Sequence, residues 1–170
     1  MATIKTQLCA GRKPAVQVLD NTPARVREAI ALSTANNATG NVVQLAVLPA
    51  GTVPSAYTFD LDALAASGMV IDFGILAQGA TASAGSANGQ QGTVISTAAI
   101  DGGNKWVAGS TAGVAGGIVL HTASKAAYDV LMAVTPVEYD RIIAAVITTG
   151  GTTPALGNIS ADVSYQQARP

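Results

Sequence analysis

The sequence predicts an all-β chain, a single antiparallel β-sandwich of jelly-roll-like character with at most one short helix. Three observations carry this expectation. Apolar and polar residues alternate over several stretches, the period that sends successive side chains to opposite faces of a strand. Clusters of Gly, Pro, Asn and Ser punctuate those stretches, as turns require. One stretch near the C-terminal end is apolar on both faces, as expected of a strand covered from both sides.

Residues 1–23 read as an arm or a set of short strands, with Thr3 to Leu8 and Ala15 to Leu19 as candidates, and 24–170 as the sandwich domain. The segment Thr22 to Ser33 allows two readings. Thr22 could cap a helix with Pro23 in its first position, yet Val26, Ile30 and Leu32 also alternate with Arg25, Arg27, Ala29 and Ala31. The strand is preferred, although it puts Glu28 on the apolar face; a helix would put Arg25 beside its positive end.

From Asn41 to Leu48, Val43, Leu45 and Val47 share a face, and Leu48-Pro49-Ala50-Gly51 fits a type I turn with proline second and glycine fourth. Tyr57, Phe59 and Leu61 then alternate with Thr58, Asp60 and Asp62, and Met69, Ile71, Phe73 and Ile75 with Val70, Asp72 and Gly74. Three consecutive strands predict a meander. Ala77 to Gly92 holds no Val, Ile, Leu or aromatic residue, so it has little to bury against the entropy of ordering and is expected to be a mobile loop. Ala108 to Gly117 is another Gly- and Ala-rich stretch, and Ser124 to Val134 could form the one short helix, with Ser124 as its cap.

Tyr139 to Thr149 and Asn158 to Gln166 read as the closing strands, expected to pair antiparallel across the loop marked by Gly150, Gly151, Pro154 and Gly157. In the first, Ile142, Ala144 and Val146 oppose Ile143, Ala145 and Ile147. A second sheet or another subunit must cover both faces. Ile143, Ile147, Tyr165 and the single Trp106 are therefore the candidate interface residues, although a lone tryptophan such as Trp106 is more often a large core side chain.

Composition narrows the function. The chain has 170 residues, enough for one domain that removes roughly 70% of its extended surface from water. Only 11% of residues are charged, against about 25% in an average soluble domain. Spread over a folded surface of roughly 7,700 Å², that leaves about one charge per 400 Å², fewer than a free monomer normally shows. With 9 Lys and Arg, 10 Asp and Glu, and a net charge of −1, no basic cluster offers a grip on nucleic acid. No stretch is apolar enough to span a membrane, and Met1 to Gly11 lacks the apolar core of a secretory signal.

Catalytic chemistry finds little purchase. One Cys and one His exclude an internal disulfide and any multi-Cys or multi-His metal centre. Gly109-Ser110-Thr111-Ala112-Gly113 places its serine one position too early for a nucleophile elbow, and a triad would rest on His121 alone. No phosphate-loop or dinucleotide fingerprint occurs. Asp60 and Asp62 on one face, with Asp72 on what would be the next strand, are weak candidates for a hard cation; a solvated sheet face or strand end is the preferred explanation. The chain is read as a non-enzyme without cofactor.

The run Gly40-Asn41-Val42-Val43-Gln44-Leu45-Ala46-Val47-Leu48-Pro49-Ala50-Gly51, followed by Phe59-Asp60-Leu61-Asp62-Ala63-Leu64 and Val70-Ile71-Asp72-Phe73-Gly74, resembles small head structural proteins of tailed bacteriophages, of the capsid decoration or cement type. Lys105-Trp106-Val107-Ala108-Gly109-Ser110-Thr111 and the stretch from Thr135 to Tyr165 sit where that family has comparable segments. The likeness covers about residues 24–166. It implies a virion protein on the outer capsid surface, partnered by the major capsid protein and by its own copies as a homotrimer, and assembled in the bacterial cytoplasm. It implies no catalytic residue, nucleic-acid partner or membrane. A tail or fibre component and a receptor- or carbohydrate-binding β-sandwich are the alternatives.

Overall fold

The computed structural model describes residues 1–11, 23–78, 92–120 and 125–168. Most of the 77–92 loop, Ala15 to Leu19, Thr22, His121 and Ser124 lie outside the described residues. Strand β1 (Thr3–Lys5) is followed by β2 (Ala24–Leu32), a 3-10 turn at Thr34–Asn37, β3 (Val42–Leu48), β4 (Thr52–Leu61), β5 (Ala65–Ser67) and β6 (Val70–Ile75). Then come β7 (Val107–Ser110), helix α1 (Ala112–Ala115), β8 (Gly117–Leu120), helix α2 (Lys125–Met132), β9 (Arg141–Thr149), β10 (Thr152–Pro154) and β11 (Gly157–Gln167). The first sheet has the order β1-β3-β9-β6-β7, the second β2-β11-β4-β8, and β5 pairs with β10 in a small ribbon.

The all-β sandwich is as expected; its wiring is not. β3, β4 and β6 do not form a meander, because the turn at Pro49–Gly51 carries the chain from the first sheet to the second. Gly51, at φ 72°, makes the reversal possible, and its N–H donates to Val137 O rather than closing a hairpin. β9 and β11 likewise do not pair: β9 runs between β3 and β6 in one sheet, β11 between β2 and β4 in the other. β1 lies parallel to β3, a departure from a purely antiparallel sandwich. Two helices form where one was expected. The unforeseen one, α1, is a single turn ended by Gly116 at φ 75°, and Gly113 within it has Met69 Sδ only 2.6 Å from where a Cβ would stand.

β2 is a strand, with Val26 and Leu32 buried. Glu28 does occupy the inward row, opposite Ala161, and is 8% exposed. The core between the sheets is aromatic at its centre: Phe59 of the second sheet stacks on Phe73 of the first with ring centroids 4.4 Å apart, and Tyr57 lies 5.2 Å from Trp106. The Tyr57 hydroxyl donates to Trp106 O at 3.0 Å. Burial of this phenol pushes its pKa up to about 12.

Every residue of β9 from Arg141 to Ile147 is buried, as a strand apolar on both faces requires. The chain's own segments, not a partner, supply the cover. The four candidate interface residues are core residues for the same reason: Trp106, Ile143, Ile147 and Tyr165 are at most 1% exposed. Their large apolar area is already packed within the chain, where each contributes about 1.5–3 kcal/mol by burial. None can meet a partner without opening the sandwich.

Candidate functional site

Polar side chains divide into those that lock loops to the sandwich and those that face outward. Arg141, at the start of β9, is completely buried. Its Nη1 donates to Asp101 Oδ1 at 3.2 Å and to Ile100 O at 3.1 Å, and its Nη2 donates to Thr52 O at 3.1 Å. Ser96 Oγ donates to the other carboxylate oxygen of Asp101 at 2.6 Å. One guanidinium thus joins β9, the start of β4 and the loop through Ser96 and Asp101. Desolvation lowers the Arg141 pKa from its ordinary value, opposed by the neighbouring Asp101 carboxylate.

The candidate cation ligands do not converge. Asp72 belongs to β6 of the first sheet, is 4% exposed, and accepts hydrogen bonds from Lys105 Nζ and from Gly109 N. Asp60 stands on β4 of the second sheet, exposed. Asp62, just past that strand, accepts from Asn158 N at 2.7 Å and Asn158 Nδ2 at 3.0 Å. Because the chain changes sheets after Pro49 and again before β6, Asp60 and Asp72 are not on neighbouring strands. Among the described residues no group of three His, Cys, Asp or Glu side chains could hold a metal ion. Cys9 is a buried thiol whose pKa burial pushes up to about 11, the opposite of what a nucleophile needs.

Two surface features remain. At one end of the sandwich, Val53, Pro54, Tyr128, Leu131, Met132, Val134 and Gln166 line a groove of about 240 Å³. Tyr128 and Met132 stand out of it at 45% and 59% exposure. Helix α2 makes this groove, which the Ser124 to Val134 periodicity anticipated only as a helix. The other feature is the outer face of the second sheet, where Arg25, Arg27, Thr58, Asp60, Ile118, Ser160 and Asp162 line a shallow trough of about 220 Å³. The register sets Asp162 between Arg27 and Thr58, and Ser160 between Ala29 and Asp60. Arg25 makes a two-pronged ion pair with Asp162, with Nε donating to Oδ1 at 2.6 Å and Nη2 to Oδ2. Sequence reasoning missed this trough because its walls, β2 and β4, are neighbours only through β11, which comes from the far end of the chain. The alternation of Arg25 and Arg27 with apolar residues was its one visible sign.

No family model matches this chain, and no curated protein does. Two solved structures do. A chain in the capsid of Ralstonia phage GP4 superposes with a TM-score of 0.73 and 24% sequence identity, over 99% of this chain and 99% of that one. A chain in the capsid asymmetric unit of cyanophage Pam1 superposes with a TM-score of 0.52 and 13% identity, over 94% of this chain and 96% of that one. At these identities the likeness is one of fold.

Proposed function

We propose that this chain is a structural protein of a bacteriophage virion, a decoration or cement protein that binds the outer surface of the head and stabilises the contacts between capsomers. The observation that carries the reading is the match to a chain of the GP4 capsid over 99% of both chains. A likeness of that extent takes in both sheets and their connections rather than one shared hairpin. The role is non-catalytic. The partners are the major capsid protein and further copies of this chain, arranged as trimers where capsomers meet, and the place is the capsid surface, reached from the bacterial cytoplasm.

The physics of such a role is linkage. A protein that binds only the assembled shell stabilises it in proportion to occupancy and affinity, and many weak contacts on a repeating lattice act together as strong ones. A surface with only 11% charged residues in the whole chain carries a small desolvation penalty when it is covered. A glycan-binding role has less support, since Trp106, Tyr57, Tyr165, Phe59 and Phe73 are at most 2% exposed and Tyr128 is left as a single exposed ring rather than a stacked platform.

Adding the purified protein to heads that lack it tests the proposal. Saturable binding and a raised disruption temperature are expected. Absence of binding, or immunogold labelling of complete particles on the tail instead of the head, would refute the head-surface role.

A further inference from the structure

We propose that the outer face of the second sheet is a contact surface for a second copy of this chain, packed face to face about a two-fold axis that runs along β11. The inference does not rest on the proposed role in the head. It starts from the charges on this face. Arg25 and Asp162 satisfy one another. Arg27 and Asp60 are both exposed, and among the described residues neither has an ion-pair partner. They line opposite sides of the trough, Arg27 on β2 and Asp60 on β4, with β11 between them. One wall carries a free positive charge and the other a free negative one.

That arrangement is complementary to itself in one orientation. A two-fold axis lying in the interface along β11 exchanges the β2 side with the β4 side, so Arg27 of each copy faces the Asp60 wall of the other. Asp60 sits one same-face step along the strands from the row of Arg27, a distance of about 7 Å that an arginine side chain spans. An axis across the strands would stack Arg27 on Arg27 and Asp60 on Asp60, and like-charge juxtaposition selects against it.

The rest of the face permits close approach. Between the walls it presents Ser160, Asp162 and Ser164, flanked by Ala29 and Ala56; Asp162 meets its own copy near the axis with its charge already neutralised by Arg25, and Ile118 at the β8 edge is 64% exposed with apolar area to bury. Strands about 4.8 Å apart and up to 11 residues long give a footprint of roughly 500 Å² per copy. The total of roughly 1,000 Å² stands at the lower limit of a specific interface. The association is therefore weak and reversible in solution, and strengthens where copies are held close together.

The test is sedimentation velocity on the full chain over a range of concentrations, for wild type, Arg27→Glu, Asp60→Lys and the double variant. The quantity read is the concentration-dependent rise above whatever mass persists on dilution. Wild type is expected to show the rise and to lose it in high salt. Each single swap places two repulsive pairs in the interface and should weaken it about tenfold or more, whereas the double variant re-forms both pairs with reversed sign and should regain it. Regain in the double variant also shows that the single variants failed by charge and not by misfolding. A wild-type mass independent of concentration, single variants that associate like wild type, or a double variant as weak as the singles would each overturn the proposal.

Discussion

Removing the Asp101 carboxylate should unlock the loop through Ser96 and Asp101 and weaken the whole sandwich. In the Arg141–Asp101 pair the side chains are 1% and 5% exposed. In Asp101→Ala the buried guanidinium keeps only the carbonyls of Ile100 and Thr52 as acceptors, and the Ser96 hydroxyl loses its own. Breaking one side of a buried ion pair costs about 3–5 kcal/mol, a large share of the about 5–15 kcal/mol that holds a domain folded. With a urea slope of about 2 kcal/mol per molar, the unfolding midpoint should fall by about 2 M. Arg141→Met strands the carboxylate instead and should cost a similar amount. The double variant removes both charges, so the two losses should fall short of adding by about 1–3 kcal/mol. The reasoning is refuted if Asp101→Ala moves the midpoint by less than about 0.5 M, or if the single losses add in the double variant.

Two further outcomes are expected. The Cys9 thiol is neutral when folded and has its pKa raised to about 11 by burial; the unfolded chain ionises first, so its contribution is intact below about pH 9 and lost as pH rises towards 11. Urea unfolding at pH 8 to 11 should show wild type losing up to about 3 kcal/mol more over this range than Cys9→Ala, and parallel curves would exclude Cys9 as the cause. Gly151→Ala would set a Cβ 2.2 Å from that of Ala65 and 2.8 Å from Ser67 O. Pushing β10 away from its partner β5 should lower stability by about 1–3 kcal/mol, and an unchanged melting temperature would show that the ribbon is free to shift.

The β class and most strands were legible because period-two alternation is a local property. Val26, Ile30 and Leu32 face inward as their spacing predicts, and the doubly apolar β9 is covered on both sides. Sheet membership was not legible, since it depends on where each turn sends the chain. The Leu48–Gly51 turn reads as a hairpin, yet in the structure β3 takes β1 and β9 as neighbours and leaves β4 to the other sheet. The same limit misplaced the candidate site. Asp60 and Asp72 belong together only in a meander, and Ile143, Ile147, Trp106 and Tyr165 look like an interface only until the opposite sheet is built over them. Arg27 and Asp60 are 33 positions apart, and their opposition across β11 depends on a strand contributed by residues 157–167.

The position of β11 also sets an order of events. β2 and β4 are made early but have no pairing with each other; β2 pairs only with β11, and β4 has β8 on one side and β11 on the other. Any nascent chain that stops short of Gly157 therefore has a second sheet in two pieces, β2 alone and the β4–β8 pair, and the part of the first sheet that β11 would cover stays open to water. Such long-range closure is slow, and during that wait the unfinished chain is exposed to proteases and to aggregation. A polypeptide lacking its closing strand therefore loses the one element that joins β2 to the rest of the second sheet.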